Sequence, residues 1–372
     1  MDATHDRRAI GVLTSGGDAP GMNAAIRAIT KVAASRGVDV VGVLGGYTGL
    51  REGALRPLTH RVREGDGERV VPDAEIDALA SLGGTVLGSA RELRFHTREG
   101  RAPAIARLSA DGPLRGLIVI GGNGSLAGAH ALAGECEVPI VGIPASIDND
   151  VGCSASAIGV DTALNTIVAA CDKICDTARA HRRAFVVEVM GRDCGYLAMA
   201  GAIAAGADAV LFREQGRDEE SIVASVEHAI RRGFSQARAK QRVLILKAEG
   251  VSIPCTKLVR MVEERLGNDL PGVDVRATVL GHLVRGGNPS FQDRMIAGRL
   301  GLAAVATVLA GTTDVMLGWQ GPKGGEATDD PAVSRYPLSL VLSESAAIVD
   351  GSSAVTRRRV QLMEQVEGVL GL

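Results

Sequence analysis

The stretch from Gly11 to Ile26, GVLTSGGDAPGMNAAI, decides the fold class: an apolar run passes through a turn carrying Gly16, Gly17 and Gly21 into an Ala-rich helix start. This is a strand feeding a helix N-terminus through a loop of little side-chain bulk, where backbone N–H groups and the helix dipole favour phosphate. Leu117 to Ser125, LIVIGGNGS, repeats the design. Outward from these two segments the chain alternates. Strands are expected near 9–14, 38–44, 116–120, 138–143, 183–189, 242–247 and 274–280. Helices are expected to start after Pro20, at Ser125, near Asp161, at Gly195, near Asp218, at Thr256 and at Phe291. Such an order requires an α/β fold with a mainly parallel sheet covered on both faces. With 372 residues, 46% of them hydrophobic, the chain has core enough for two lobes. GPKGGEATDDP, Gly321 to Pro331, reads as a surface loop.

A second stretch carries chemistry. Pro144 to Asp150, PASIDND, follows an apolar strand, and an extended chain there would point Asp148 and Asp150 the same way. Two acids displayed together can divide labour, one accepting a proton and the other holding charge or metal. By itself the motif favours the reading of an Asx-rich turn. Three further segments add to it: GGTVLGSAR at 83–91, VVEVMGRDCGYLA at 186–198 and RATVLGHLVRGG at 276–287. They place Arg192, Arg276, His282 and Arg285 at or beyond strand ends, where open α/β sheets bind ligands. Taken singly, such arginines are usually solvated or in surface ion pairs.

Composition excludes several classes. A net charge of −2 argues against a nucleic-acid or polyanionic-membrane partner, and 2% aromatics leave little for base stacking. No apolar run is expected to reach membrane-spanning length, and Met1 to Arg8 is polar, so the expectation is a cytoplasmic protein. Six cysteines, at 136, 153, 171, 175, 194 and 255, show no CxxC spacing and read as reduced packing residues. The histidines show no metal-binding spacing.

GVLTSGGDAPGMNAAIR, GGTVLGSAR, VIGGNGS, PASIDND, VVEVMGRDCGYLA and RATVLGHLVRGG together resemble, in order, the successive motifs of the 6-phosphofructokinases, from about Ile10 to about Leu302. The resemblance implies two Rossmann-like lobes with the active site in the cleft between them. Residues 1–159 with 284–334 would form the nucleotide lobe, and 160–283 with 335–372 the sugar-phosphate lobe. It implies phosphoryl transfer from ATP, with Mg2+, to the 1-hydroxyl of fructose 6-phosphate. Asp148 matches the base and Asp150 an acid that keeps the geometry and assists magnesium, while Arg192 and the backbone of Gly17 match groups that stabilise the moving phosphoryl. Arg91, Gly122, Asn123, Gly124 and Ser125 match the nucleotide site. Arg183, Arg276, His282 and Arg285 match the 6-phosphate cage, and Ser146, Met190, Gly191 and Glu249 the rest of the sugar site.

Donor choice follows from two positions. Pyrophosphate users of the family typically carry Asp and Lys where this chain has Gly124 and Ala145, and a carboxylate at 124 would obstruct and repel an α-phosphate. Asp161 nevertheless resembles the longer, pyrophosphate-related branch. Asn123 stands where the family usually has a magnesium-binding Asp, which implies a weakened ligand, and Glu92 stands where an aromatic is common. Arg27, Lys31, Arg238 and Lys240 match an inter-subunit effector site, Ala54 departs from it, and exposed basic helix faces explain them equally well. A homotetramer or homodimer is the implied assembly. Two alternatives stay open: a kinase using another sugar phosphate, such as sedoheptulose 7-phosphate, or pyrophosphate; and a weakly active regulatory homologue.

Overall fold

In the computed structural model, the structure describes residues 8–65, 67–90, 92–109, 112–267, 269–270, 272–366 and 369. The chain divides into two compact units, Met1–Thr162 with Arg285–Ala346, and Ala163–Val284 with Ala347–Leu372.

The first unit begins with β1 (Ala9–Ser15), α1 (Met22–Ser35), β2 (Val40–Val43), α2 (Gly46–Glu52) and β3 (Leu55–Pro57). A hairpin of β4 (Thr59–Glu64) and β5 (Gly67–Pro72) follows, then α3 (Arg98–Arg107), β6 (Leu114–Gly121), α4 (Asn123–Ala133) and β7 (Ile140–Pro144). α5 (Val160–His181) carries the chain into the second unit, which holds β8 (Arg183–Val189), α6 (Tyr196–Ala205), β9 (Ala209–Leu211), α7 (Glu219–Gly233), β10 (Val243–Ala248), α8 (Cys255–Leu266) and β11 (Asp274–Val279). The first unit then resumes with α9 (Phe291–Leu309), β12 (Val315–Trp319), β13 (Glu326–Ala327) and β14 (Val333–Pro337). α10 (Leu338–Asp350) leads back into the second unit, where α11 (Ala354–Val366) is the last element described.

Eight strands of the first unit form one sheet in the order β13-β14-β12-β7-β6-β1-β2-β3. Its middle is parallel, and β3 and β14 run antiparallel at the edges. The central strands are apolar on both faces because both are covered. Leu13, Leu117 and Val119 enter one core with Tyr47, Leu126 and Leu338, while Ile10, Val12, Ile118 and Ile120, also buried, point to the opposite face. On that side α1 lies close to α9: a Cβ at Gly301 would stand 2.8 Å from Ala28 Cβ. In the second unit β11-β8-β10-β9 form a four-stranded, wholly parallel sheet.

The expected strands and helix starts are present, with three differences. The acid pair is not on extended chain: Ile147 and Asp148 lie in a turn, and Asn149 has φ 50°. Its side chain fixes that left-handed geometry, since Asn149 Nδ2 donates to Ala155 O at 3.2 Å and Asn149 Oδ1 accepts from Ala157 N at 3.2 Å. Arg276 lies within β11 rather than beyond a strand end. The 321–331 loop contains β13, which pairs with β14. Leu338–Val366, at mean hydropathy 1.2, is long and apolar enough for a membrane span by length and composition alone. The described backbone breaks it into α10 and α11, of 13 residues each. Residues 1–7 of the polar N-terminal stretch lie outside the described residues.

Candidate functional site

Two strand-to-helix turns of the first unit open onto one cavity. β1 enters α1 through Gly16 at φ +83° and Gly21 at φ +110°; at Gly21 a Cβ would come within 2.6 Å of Ile158 Cγ2. β6 enters α4 through Gly121 and Gly122. Neither helix carries a side-chain cap; Met22 N donates to Ala19 O and Ser125 N to Gly122 O, and the first-turn N–H groups so left over suit an anion. The 83–90 segment is tied over this region. Asn23 Nδ2 donates to Leu82 O and Gly83 O, Val86 N donates to Asn23 Oδ1 at 2.8 Å, and Ser89 Oγ donates to Gly16 O at 2.5 Å.

The cavity has a volume of about 580 Å³ and follows α4 from Asn123 to Ala131, a rise of about 12 Å. Gly17, Gly122, Asn123, Gly124, Ser125, Ser146, Asp148, Asp150 and Arg285, all singled out in the sequence, line it together. Arg285 Nη1 donates to Asp18 O at 3.2 Å and its guanidinium would be struck by any Cβ at Gly17. Arg91 lies outside the described residues.

The acid turn is pinned to its neighbours. Ala145 N donates to Gly121 O at 3.0 Å and Ser146 N to Ile158 O at 3.1 Å. Asn123 Nδ2 donates to Asp150 Oδ2 at 3.0 Å and to Asp150 O at 3.3 Å, and Ser146 Oγ donates to Asp150 Oδ1 at 3.2 Å. Asp148 N in turn donates to Ser146 Oγ at 3.3 Å. Asn123 Oδ1 and Ser125 Oγ are buried with no hydrogen-bond partner among the described residues. Oxygen donors left unsatisfied in such a place suit water, a ligand or a hard cation.

Sequence reasoning missed the far wall. Tyr47 and Phe95 stack there at 4.1 Å, and Tyr47 Oη donates to Ser125 O at 2.5 Å. Burial pushes the Tyr47 phenol well above its ordinary value, so it stays a donor. The ring lies so near α4 that a Cβ at Gly128 would come within 2.7 Å of it. Glu92 is almost fully enclosed, accepting from Arg94 N, Nε and Nη2 and from Arg51 Nη1. Hydrogen bonds from Arg94, then from Arg51, hold its carboxyl down at about 2. The acid that replaces an aromatic here is therefore an ion-paired clasp on the cavity wall.

In the second unit Met190 and Gly191 directly follow β8, with Gly191 at φ +124°. Glu249 N donates to Val189 O at 2.9 Å, and a Cβ on Gly250 would come within 2.0 Å of Arg192 O, so Glu249 is held next to the Met190–Arg192 turn. Arg183 and Arg276 converge on one carboxylate, Asp274, at 3.0 and 2.8 Å. His282 is exposed in the short helical turn Gly281–Arg285. Of the basic residues matched to an effector site, Arg27 and Lys31 both pair with Asp77, at 3.3 and 2.5 Å, and Lys240 pairs with Asp208 at 2.7 Å.

Comparison with known proteins gives a consistent picture. A profile described as phosphofructokinase matches residues 9–308. An ATP-dependent 6-phosphofructokinase 2 of Bacteroides thetaiotaomicron is 43% identical over 311 residues, covering 84% of this chain and 88% of that protein. An ATP-dependent 6-phosphofructokinase of Thermotoga petrophila is 42% identical over 339 residues, 91% of this chain and 95% of that one. Among solved structures, phosphofructokinase from Saccharomyces cerevisiae superimposes with a TM-score of 0.75 at 30% identity over 98% of this chain. This chain spans 48% of the length of that yeast chain.

Proposed function

The chain belongs to the phosphofructokinase family, and on that premise we infer that it transfers the terminal phosphoryl of ATP to the 1-hydroxyl of fructose 6-phosphate, giving fructose 1,6-bisphosphate and ADP. The observation that carries the reading is the cavity: the uncapped N-terminus of α4, the glycines of both strand-to-helix turns and both acids of the 148–150 turn share one space.

Phosphoryl transfer asks a protein for position and charge more than covalent chemistry. The N–H groups at Gly17 and at the start of α4 receive the donor phosphates, and the Tyr47–Phe95 wall meets the apolar part of the nucleotide. Gly124 favours a nucleotide, because the space a Cβ would occupy there is open. Asp148 accepts the proton of the attacking hydroxyl, with its backbone fixed through Ser146. Arg192 offers a guanidinium fork to the phosphoryl oxygens. Arg183, Arg276 and His282 take the 6-phosphate, with Asp274 marking where two of the cations already converge. Met190, Gly191 and Glu249 border the sugar.

Magnesium fits this donor set as a companion of phosphate. Among the described residues no cluster of three His, Cys, Asp or Glu could hold a metal alone, whereas Mg2+ is commonly held by one or two carboxylates plus substrate phosphates. Asp150 and the partnerless Asn123 Oδ1 would supply the protein oxygens, and the bound ion would neutralise charge on the β- and γ-phosphates. A symmetric homo-oligomer is the expected assembly. A panel of ATP and pyrophosphate against fructose 6-phosphate and other sugar phosphates tests the reading. Turnover with ATP and fructose 6-phosphate supports it, and turnover with pyrophosphate alone overturns it.

A further inference from the structure

Asn123 opens α4 where the family usually has an acid, and the structure shows which bonds its amide makes. Asn123 Nδ2 reaches 27 positions along the chain and donates both to the carboxylate and to the carbonyl of Asp150. Asp150 Oδ1 is taken by Ser146 Oγ, and the same Oγ accepts from Asp148 N. One connected set of hydrogen bonds thus runs from the start of α4 to the proposed base. Its first link needs a donor. Turning the amide over would set Oδ1 against two acceptors, and an aspartate would set a second anion about 3 Å from the first, an arrangement tolerated only with a proton or a cation between them.

We propose that Asn123 is a positioning residue: its amide holds Asp150, and through Ser146 the backbone of Asp148, in working orientation by direct hydrogen bonds, where an acid at 123 would need a cation or a shared proton to make the same link. The inference rests on reading the cavity as the nucleotide site. The donor side of the amide is spent on Asp150, and Asn123 Oδ1 is left without a partner among the described residues.

The test uses the full-length protein and Mn2+ as probe, followed by the electron-paramagnetic resonance of the free ion with nucleotide absent. The Asn123→Asp variant should bind Mn2+ at least about tenfold more tightly than the unmodified protein, since it adds a carboxylate to a single-acid site. Equal Mn2+ affinity in the two proteins would overturn the proposal. A second variant, Asn123→Ala, removes the donor, and Oδ1 with it, without adding charge, so it is assayed at saturating Mg2+ to offset the lost oxygen. At saturating Mg-ATP its kcat should fall about tenfold or more, while KM for fructose 6-phosphate changes less than about threefold. A kcat within about twofold of the unmodified protein would also overturn the proposal. Thermal melts confirm that each variant is folded, and the Mn2+ titration of the unmodified protein is informative even if one is not. Asp148→Asn separates the two levels of inference. If it abolishes turnover while Asn123→Ala does not, only the positioning role fails; if both leave turnover intact, the reading of the cavity fails with it.

Discussion

Gly124→Asp is the sharpest test of donor choice, because the structure isolates charge from bulk at that position. Gly124 is the second residue of α4, and a Cβ built on it meets no atom within 4 Å. The new side chain would enter the cavity without displacing protein, and an acid in a first helical turn is favourable to the helix. Folding should therefore be untouched, with a melting temperature within about 2 °C of the unmodified protein. Nucleotide binding should not be. A carboxylate about 5 Å from one phosphate charge, at an effective dielectric constant of about 20, costs about 3 kcal/mol, or roughly 200-fold in affinity. Initial rates against ATP at saturating fructose 6-phosphate should show KM for ATP raised about 100-fold, and the penalty should shrink as salt rises. Gly124→Asn supplies nearly the same bulk without charge. If it damages ATP use as much as Gly124→Asp does, sterics and not repulsion set the donor. If Gly124→Asp leaves KM for ATP within about threefold, the placement of the phosphates along α4 is refuted.

Three further outcomes are expected. Asp148→Asn should lower kcat by about two to four orders of magnitude with KM for fructose 6-phosphate nearly unchanged, because a base acts on the transition state; equal losses in both would remove it from that role. Arg276→Ala and His282→Ala should each raise KM for fructose 6-phosphate by about tenfold or more with a smaller effect on kcat, and an unchanged KM in both would displace the phosphate site. Glu92→Gln should destabilise the protein at pH 7 by about 1–2 kcal/mol, a figure reduced because Arg94 is largely exposed. Its carboxyl titrates lower when folded, so the stabilisation is present above the ordinary range near 4.3 and is lost as pH falls toward about 2. Melting curves of the two proteins should accordingly converge between those limits, and a gap that stays constant down to pH 3 would contradict the ion-pair account.

What could be read from the sequence is what the chain encodes locally. The turns at Gly16–Gly21 and Gly121–Gly124 declare themselves because strand, small residues and helix start lie within a dozen positions of one another. The arrangement of the acid pair does not, because Asn149 takes its left-handed geometry from Ala155 and Ala157, across a loop with no periodicity to read. The polar face of the β4–β5 hairpin, THRVREGDGERVVP, hides its strands in the same way. Glu92 is harder still. It looks like a defect in an aromatic position until Arg51, 41 residues earlier, is seen closing on it. Asn123 looks like a lost ligand until Asp150 is seen accepting its proton. Both apparent defects sit at the start of a helical segment, Asn123 opening α4 and Glu92 capping the turn Leu93–His96, and both have a partner far away in sequence. A substitution at such a place is therefore better judged by the donors and acceptors it leaves without partners than by its difference from a motif. On that measure Glu92 is answered at both oxygens, and Asn123 is answered at Nδ2 while its Oδ1 keeps no partner among the described residues, which is where a ligand would be expected to meet it.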